Sequence, residues 1–600
     1  MEATTATSPH PASTASKTIA DLAAHAARKH ADQVAVRRKV DGEWRDTTYA
    51  EMGEIVREIG LGLIALGIAP GERVGILSST RPEWTFCDYA ISSTGAVVVP
   101  IYPTNSAEEC EWVVGNSGAA AVIAEDASQV AKLVAVRDQL PNLRHIVVMD
   151  PAGDVADGIA LDDLRERGRG GDEAELEERR NAVTLDDPFT FIYTSGTTGP
   201  PKGCVLTHGN YRLVMNMCEG IQVIQPGDVI YLFLPLAHAF ALLIQLLAND
   251  LGSTVAYFGG DTRNVVAEVG EVKPDYLPSV PRIFEKIYTL ATGTLSDEDR
   301  DQLERAVALG VKVRDLQARG QEIPEELREP FAKADERVFS RVRGTFGGNV
   351  RQAVSGAAPI APEILEFFYA AGVPVLEGYG MTETATVATY STLENHRFGT
   401  VGRALPGNEI RIADDGEVLI KGPNIFSGYY RNDDASFGAV VDGWLHTGDM
   451  GTLDEDGYLK ITGRKKDIII TAGGKNLTPA NIENDLKQSR WISQAVMHGD
   501  RRPYPVVLVT LDDEEIAQFA RERDLPENVA ELSRHPDVRA LVQAEVDRAN
   551  GKYAQVEQVK RFAILDHDLS QATGELTPTL KVKRNIVNEK YADLFDSLYT

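Results

Sequence analysis

Between Phe191 and Asn210 the chain reads FIYTSGTTGPPKGCVLTHGN. Gly196, Gly199 and Gly203 carry no Cβ, so backbone N–H groups in such a turn can converge on an anion. Thr194, Ser195, Thr197 and Thr198 add hydroxyl donors, and Lys202 adds a point charge. This donor set suits phosphate oxygens. The same composition also makes an ordinary flexible surface turn. It is not a P-loop, because Gly196 and Gly199 are too close together and Gly203, rather than Ser or Thr, follows Lys202. The residues alone leave phosphate binding and a bare turn both open.

The surrounding pattern must position that loop. From Ile19 to about Arg180, helical stretches such as TYAEMGEIVREIGLGLIALGI alternate with short strand-like runs such as ERVGILSS, AAAVIAED and HIVVMD. Strands alternating with helices imply parallel βαβ units. A second such series runs from PFTFIYTS to PVLEGYGMTET, interrupted at about 290–345 by a charged helical insertion. From 398 to 463, short runs separated by Gly and Asp-Gly suggest antiparallel hairpins, and residues 468 to 600 form a smaller αβ pattern.

The chain has 600 residues, past the size at which a single core stops growing, so more than one domain is expected. Its formal net charge of −28 argues against nucleic acid as the main partner. Cys87, Cys110, Cys204 and Cys218 form no CxxC pair, which fits neither a metal site nor a disulfide framework and suits a reducing cytoplasm. The first residues lack the apolar region of a secretory signal and read as a disordered lead over 1–17. No run reaches the ~18 apolar residues of a membrane span. The longest candidate, AFALLIQLLA at 239–248, predicts a buried helix. Peripheral contact with the inner membrane face stays open.

YTSGTTGPPKG resembles the signature loop of the acyl-adenylate-forming superfamily, which includes acyl-CoA synthetases and peptide-synthetase adenylation domains. GYGMTET (378–384), GWLHTGD (443–449), GRKKDIIITAGGKNLTPANIE (463–483) and GELTPTLKVKR (574–584) resemble its later motifs, in family order. RPEW, SVPRIFEK, the helical insertion and GELTPTLKVKR look most like the long-chain fatty acid–CoA ligase branch. The resemblance implies an α/β fold. A large N-terminal domain, 18–463, would hold two doubly wound αβ subdomains and a small β-barrel-like part. A smaller, mobile α+β C-terminal domain would cover 464–600.

The reaction so implied has two halves: a fatty acid carboxylate attacks the α-phosphorus of Mg·ATP, and coenzyme A then takes the acyl group from acyl-AMP. The substrates supply both nucleophiles, so the protein's task is positioning and charge stabilisation. On this resemblance Thr194 to Gly199 and Lys202 hold phosphates, Thr382 donates to the α-phosphate and Glu383 holds Mg²⁺. Tyr379 and Gly380 lie against the adenine, and the small-residue turn with Gly356 and Ala357 lets the base approach. Asp449 and Arg464 hold the ribose. His238 lines the carboxylate end of the acyl site, although its type also fits a satisfied core histidine. Lys581 neutralises charge on the α-phosphate. Lys466 is the hinge, and Gly473, Gly474 and Lys475 form the pantetheine passage.

The sequence departs from the commonest family pattern at Leu580, where a glycine often precedes the lysine. Lys583, two residues on and on the same face of a strand, is a rival to Lys581. Two other readings stay open: a fatty acyl-AMP ligase that loads a carrier protein, and a non-catalytic nucleotide-binding scaffold.

Overall fold

The computed structural model describes residues 10–600 except 154, 156–157, 195–199, 293–295 and 578–580. Two large sheets share one core. The first has seven strands in the order Ile159–Ala160, His145–Asp150, Ala121–Asp126, Arg73–Leu77, Val97–Ile101, Pro188–Thr194 and Lys202–Thr207. It is parallel except for its last strand, which returns antiparallel on Pro188–Thr194. The second has nine strands, with Val229–Leu232, Tyr276–Ser279, Gln352–Ser355 and Val375–Tyr379 among its central parallel members. The strand pattern of the sequence is realised as α/β layers.

Helices fill the space between the sheets. The helix Ala239–Leu251 is apolar over most of its circumference and is buried all round, only Phe240 escaping full burial. His238 caps its start and Gly252, in the left-handed conformation, ends it. A continuous buried cluster joins Val74 and Ile76 of one sheet to Ile230 and Leu232 of the other, through Trp84, Tyr89, Leu242 and Leu246.

Residues 10–17 correct the expectation of a disordered lead. Ser13 donates to Asp250 Oδ2 at 2.8 Å, and the Thr14 N–H donates to Asp250 Oδ1 at 3.1 Å. Asp250 is fully buried and pairs with Arg212 at 2.7 Å. The polar segment is ordered because it satisfies a buried charge cluster at the end of the apolar helix, which composition alone does not reveal. Residues 1–9 lie outside the described residues.

Beyond the second sheet, Trp444–Leu453 pairs antiparallel with Glu417–Lys421, Val440–Val441 and Leu459–Arg464. The chain then forms a three-stranded sheet of Ile492–His498, Val506–Leu511 and Arg561–Ile564. One of its faces buries Val507 and Val509 against Ile516, Val542 and Val546. The other buries Val506 and Leu508 against Val587 and Phe595. Arg282–Asp512 at 2.9 Å and Lys286–Glu514 at 3.2 Å tie this unit to the helix Pro281–Thr292. No helix among the described residues is long and apolar enough to cross a membrane.

Candidate active site

A cavity of about 1170 Å³ opens where the strand ends of the large sheets, the antiparallel sheet and the C-terminal unit meet. Thr194, Lys202, His238, Gly356, Ala357, Tyr379, Gly380, Thr382, Glu383, Arg464, Lys466, Lys581 and Lys583 all line it. The predicted residues thus converge from positions up to several hundred residues apart.

Thr194 and Lys202 are register partners at the mouth of the hairpin formed by Pro188–Thr194 and Lys202–Thr207. The predicted phosphate-loop residues Ser195, Gly196, Thr197, Thr198 and Gly199 lie outside the described residues. Strand Lys202–Thr207 is gripped on its other edge as well. The Val205 N–H donates to Gly428 O at 2.9 Å and the Tyr430 N–H donates to Gly203 O at 2.8 Å. This grip brings in Tyr429, which the sequence reading did not single out. Its hydroxyl donates to Glu383 Oε1 at 2.7 Å, and its ring lies 5.1 Å from the Lys202 ammonium. One tyrosine therefore links the loop lysine to the candidate metal carboxylate. In the sequence it stands only as one of a tyrosine pair in SGYYR, with no local signal for this role.

Glu383 sits in the short 3₁₀ turn Thr382–Thr384 that follows strand Val375–Tyr379. Gly380 is required at the start of that turn, because a Cβ there would lie 2.2 Å from Thr386 O. No cluster of three or more His, Cys, Asp or Glu able to hold a metal occurs among the described residues. A single carboxylate facing a large cavity does fit Mg²⁺, which keeps most of its sphere for water and substrate phosphates.

Tyr379 ends the same strand, and its hydroxyl donates to Asp449 Oδ2 at 2.7 Å. Arg464 Nε donates to the other carboxylate oxygen at 3.0 Å. Asp449 and Arg464 are register neighbours across the antiparallel sheet, so the pair is fixed by strand pairing. Burial, and then the Asp449 charge, hold the Tyr379 hydroxyl well above its ordinary pKa, so it stays a donor. Lys465, also missed in the sequence, lines the cavity and pairs with Asp415 at 2.6 Å and Glu417 at 3.0 Å.

His238 Nδ1 accepts from the Phe240 N–H at 3.2 Å. Burial lowers its pKa to about 4, and the Lys581 charge acts in the same direction. The imidazole is therefore neutral at pH 7 and carries its proton on Nε2. Beyond it, Leu243, Ile244 and Leu247 of the buried helix wall the apolar end of the cavity, with Cys218 and Val223.

Lys581 lines the cavity and is exposed into it, while the surrounding protein displaces much of the bulk water around its ammonium. Burial lowers its pKa to about 8; Arg464 pushes the same way, while Asp449 and Glu383 oppose. Its charge is thus felt by three predicted site residues and by His238. Lys583 lines the cavity too, but its backbone caps the helix Arg584–Lys590. Gly473, Gly474 and Lys475 form the turn between Ile469–Ile470 and Asn476–Leu477, and the cavity lining does not include them. Lys475 instead pairs with Glu557 at 3.1 Å.

Residues 23–430 match the family profile described as AMP-binding enzyme, and residues 466–600 match the AMP-binding enzyme C-terminal domain. A long-chain-fatty-acid–CoA ligase, FadD15, of Mycobacterium bovis is 41% identical over 580 residues, covering 95% of each chain. Long-chain-fatty-acid–CoA ligase 6 of Mus musculus is 30% identical over 603 residues, covering 94% of this chain and 84% of that one. The adenylation domain of a carboxylate reductase from Mycobacterium chelonae superposes with a TM-score of 0.77 at 21% identity, over 99% of this chain and 94% of that one. With both parts of the family profile matched and relatives similar over nearly the whole length, the chain belongs to the AMP-binding enzymes.

Proposed function

We propose that the protein joins a long-chain fatty acid to coenzyme A in two half-reactions at the one cavity. In the first, a carboxylate oxygen bonds to the α-phosphorus of ATP as the α–β phosphoanhydride breaks, giving acyl-AMP and pyrophosphate. In the second, the coenzyme A thiolate bonds to the acyl carbon and AMP leaves. The observation that carries this reading is that Lys581, from the C-terminal unit, shares a cavity with Thr382, Glu383, Tyr379 and an apolar helix face, with buried Asp449 held behind the lining by the Tyr379 hydroxyl. A binding scaffold has no use for a partly desolvated lysine beside a nucleotide-type site.

Thr194, Lys202 and the 195–199 loop hold the phosphates, and Lys581 offsets charge as it develops on the α-phosphate. Glu383 would hold Mg²⁺, which neutralises phosphate charge when bound. Asp449 and Arg464 take the ribose, Tyr379 and Gly380 the adenine, with Gly356 and Ala357 on its other side. His238, neutral, donates from Nε2 toward the acyl carboxylate. After adenylation the 464–600 unit swings about Lys466, withdrawing Lys581 and bringing Gly473, Gly474 and Lys475 to the cavity. The four cysteines are free and buried, in keeping with a reducing cytoplasm.

The test is AMP release with coenzyme A across acids from acetate to long chains. Chain-length-dependent, coenzyme-A-dependent turnover supports the reading. Acyl-AMP that accumulates indifferent to coenzyme A would instead point to carrier-protein loading, and no pyrophosphate with any acid to a scaffold.

A further inference from the structure

Lys581 is a flexible four-carbon arm, so its reach depends on how firmly its backbone is held. Locally, the Thr577 N–H donates to Lys581 O at 2.8 Å, and the Lys581 N–H donates to Thr577 Oγ1 at 3.0 Å. Charged contacts lie on either side.

On the N-terminal side is Glu575, which has no exposed surface. Its carboxylate accepts from Lys590 Nζ at 2.6 Å, the Tyr591 hydroxyl at 2.6 Å, the Ser570 N–H at 3.2 Å and the Thr573 hydroxyl. Its backbone carbonyl accepts from the Lys583 N–H at 2.7 Å, which closes the segment. On the C-terminal side, Arg584 forks onto Glu483, with both bonds at 2.8 Å, and donates to Met497 O at 2.9 Å. Glu483 also accepts from the Met497 N–H at 2.7 Å. Neither Glu575 nor Glu483 lines the cavity. Their charged hydrogen bonds are therefore spent on the segment that carries the lysine, and such buried, charge-assisted bonds are the strong ones.

We infer that Glu575 and the Arg584–Glu483 fork are a two-point clamp that positions Lys581 for the first half-reaction. The inference rests on the reading of Lys581 given above. Glu483 lies in the helix Pro479–Lys487, which follows the 473–475 turn after the two-residue strand Asn476–Leu477. The fork thus fixes Lys581 and that turn in one rigid frame. Glu575 acts on the lysine side alone, through the last two helices, Arg584–Lys590 and Ala592–Ser597, and its loss should separate the two half-reactions.

The experiment compares Glu575→Gln, Tyr591→Phe, Lys590→Met and Lys581→Ala in the full-length protein. Acyl-AMP formation and acyl transfer from supplied acyl-AMP to coenzyme A are measured separately, with near-ultraviolet circular dichroism as the check on folding. A displacement of about 1 Å is enough to cost on the order of 100-fold. Glu575→Gln is expected to lower kcat of adenylation at least about tenfold, with KM for ATP and the transfer rate within about twofold. Should Glu575→Gln fail to fold, Tyr591→Phe and Lys590→Met, each removing one donor, decide the matter by lowering the adenylation-to-transfer ratio at least about threefold. A parallel fall of both half-reactions, or no fall in adenylation, overturns the clamp. Full adenylation by Lys581→Ala overturns the lysine's role itself. Loss in Lys581→Ala with an unaffected Glu575→Gln overturns the clamp alone.

Discussion

Tyr379 and Asp449, one at the end of a parallel strand and the other in an antiparallel sheet, are joined by a 2.7 Å hydrogen bond at the cavity wall, Tyr379 lining it and Asp449 buried behind. Arg464 holds the second oxygen of Asp449, so the carboxylate is fixed in orientation before any nucleotide arrives. A carboxylate has about four acceptor positions, which leaves lone pairs for two ribose hydroxyls. Hydrogen bonds to charged groups contribute about 1.5–3 kcal/mol. Asp449→Asn should therefore weaken ATP binding by about 10- to 100-fold in calorimetric titration. Tyr379→Phe, which spares the charge, should weaken it less.

Lys581→Ala should abolish adenylation and leave transfer from supplied acyl-AMP to coenzyme A largely intact. Single-turnover assays of each half decide this, and equal loss of both would contradict the assignment.

The pH profile follows from the same lysine. Its pKa, lowered to about 8 by burial and Arg464, puts its charge within reach of ordinary buffers. The protonated form is the useful one, so kcat/KM of adenylation for ATP should fall as pH rises through about 8. The profile of kcat/KM reports groups of the free enzyme. Transfer to coenzyme A should show the opposite slope, because a thiol with an ordinary pKa of about 8.5 gains thiolate over the same range.

Glu383→Gln should raise the Mg²⁺ concentration needed for pyrophosphate exchange. Tyr429→Phe keeps the ring near Lys202 but frees Glu383 Oε1, and should shift Mg²⁺-dependent nucleotide affinity by less. Nucleotide titrations with and without Mg²⁺ separate the two, and an unchanged Mg²⁺ response of Glu383→Gln would remove its metal role.

Leu243 and Leu247 are one helical turn apart on the wall of the apolar end. Leu247→Trp should shift preference toward shorter acids, since each methylene displaced from an apolar wall loses about 0.8 kcal/mol, or about fourfold in affinity. A chain-length series of KM values is the measurement.

The sequence by itself determined the local and periodic features. The alternation of helical and β-branched runs made the α/β layers, because each period buries one face. The largely apolar run after His238 reads as a buried helix, and it is one. The ordered motifs specified the family. Tertiary structure decided whatever depends on contact between distant residues. Tyr429 meets Glu383 across 46 positions, and Arg584 meets Glu483 across 101. The polar residues 10–17 are held down by Asp250, more than two hundred positions away. Lys581 and Lys583 both line the cavity, but Lys583 also caps the helix Arg584–Lys590, a role that no local pattern announces. Composition and periodicity report what a residue prefers, whereas the charge a side chain carries and the partner it finds depend on what the fold packs around it.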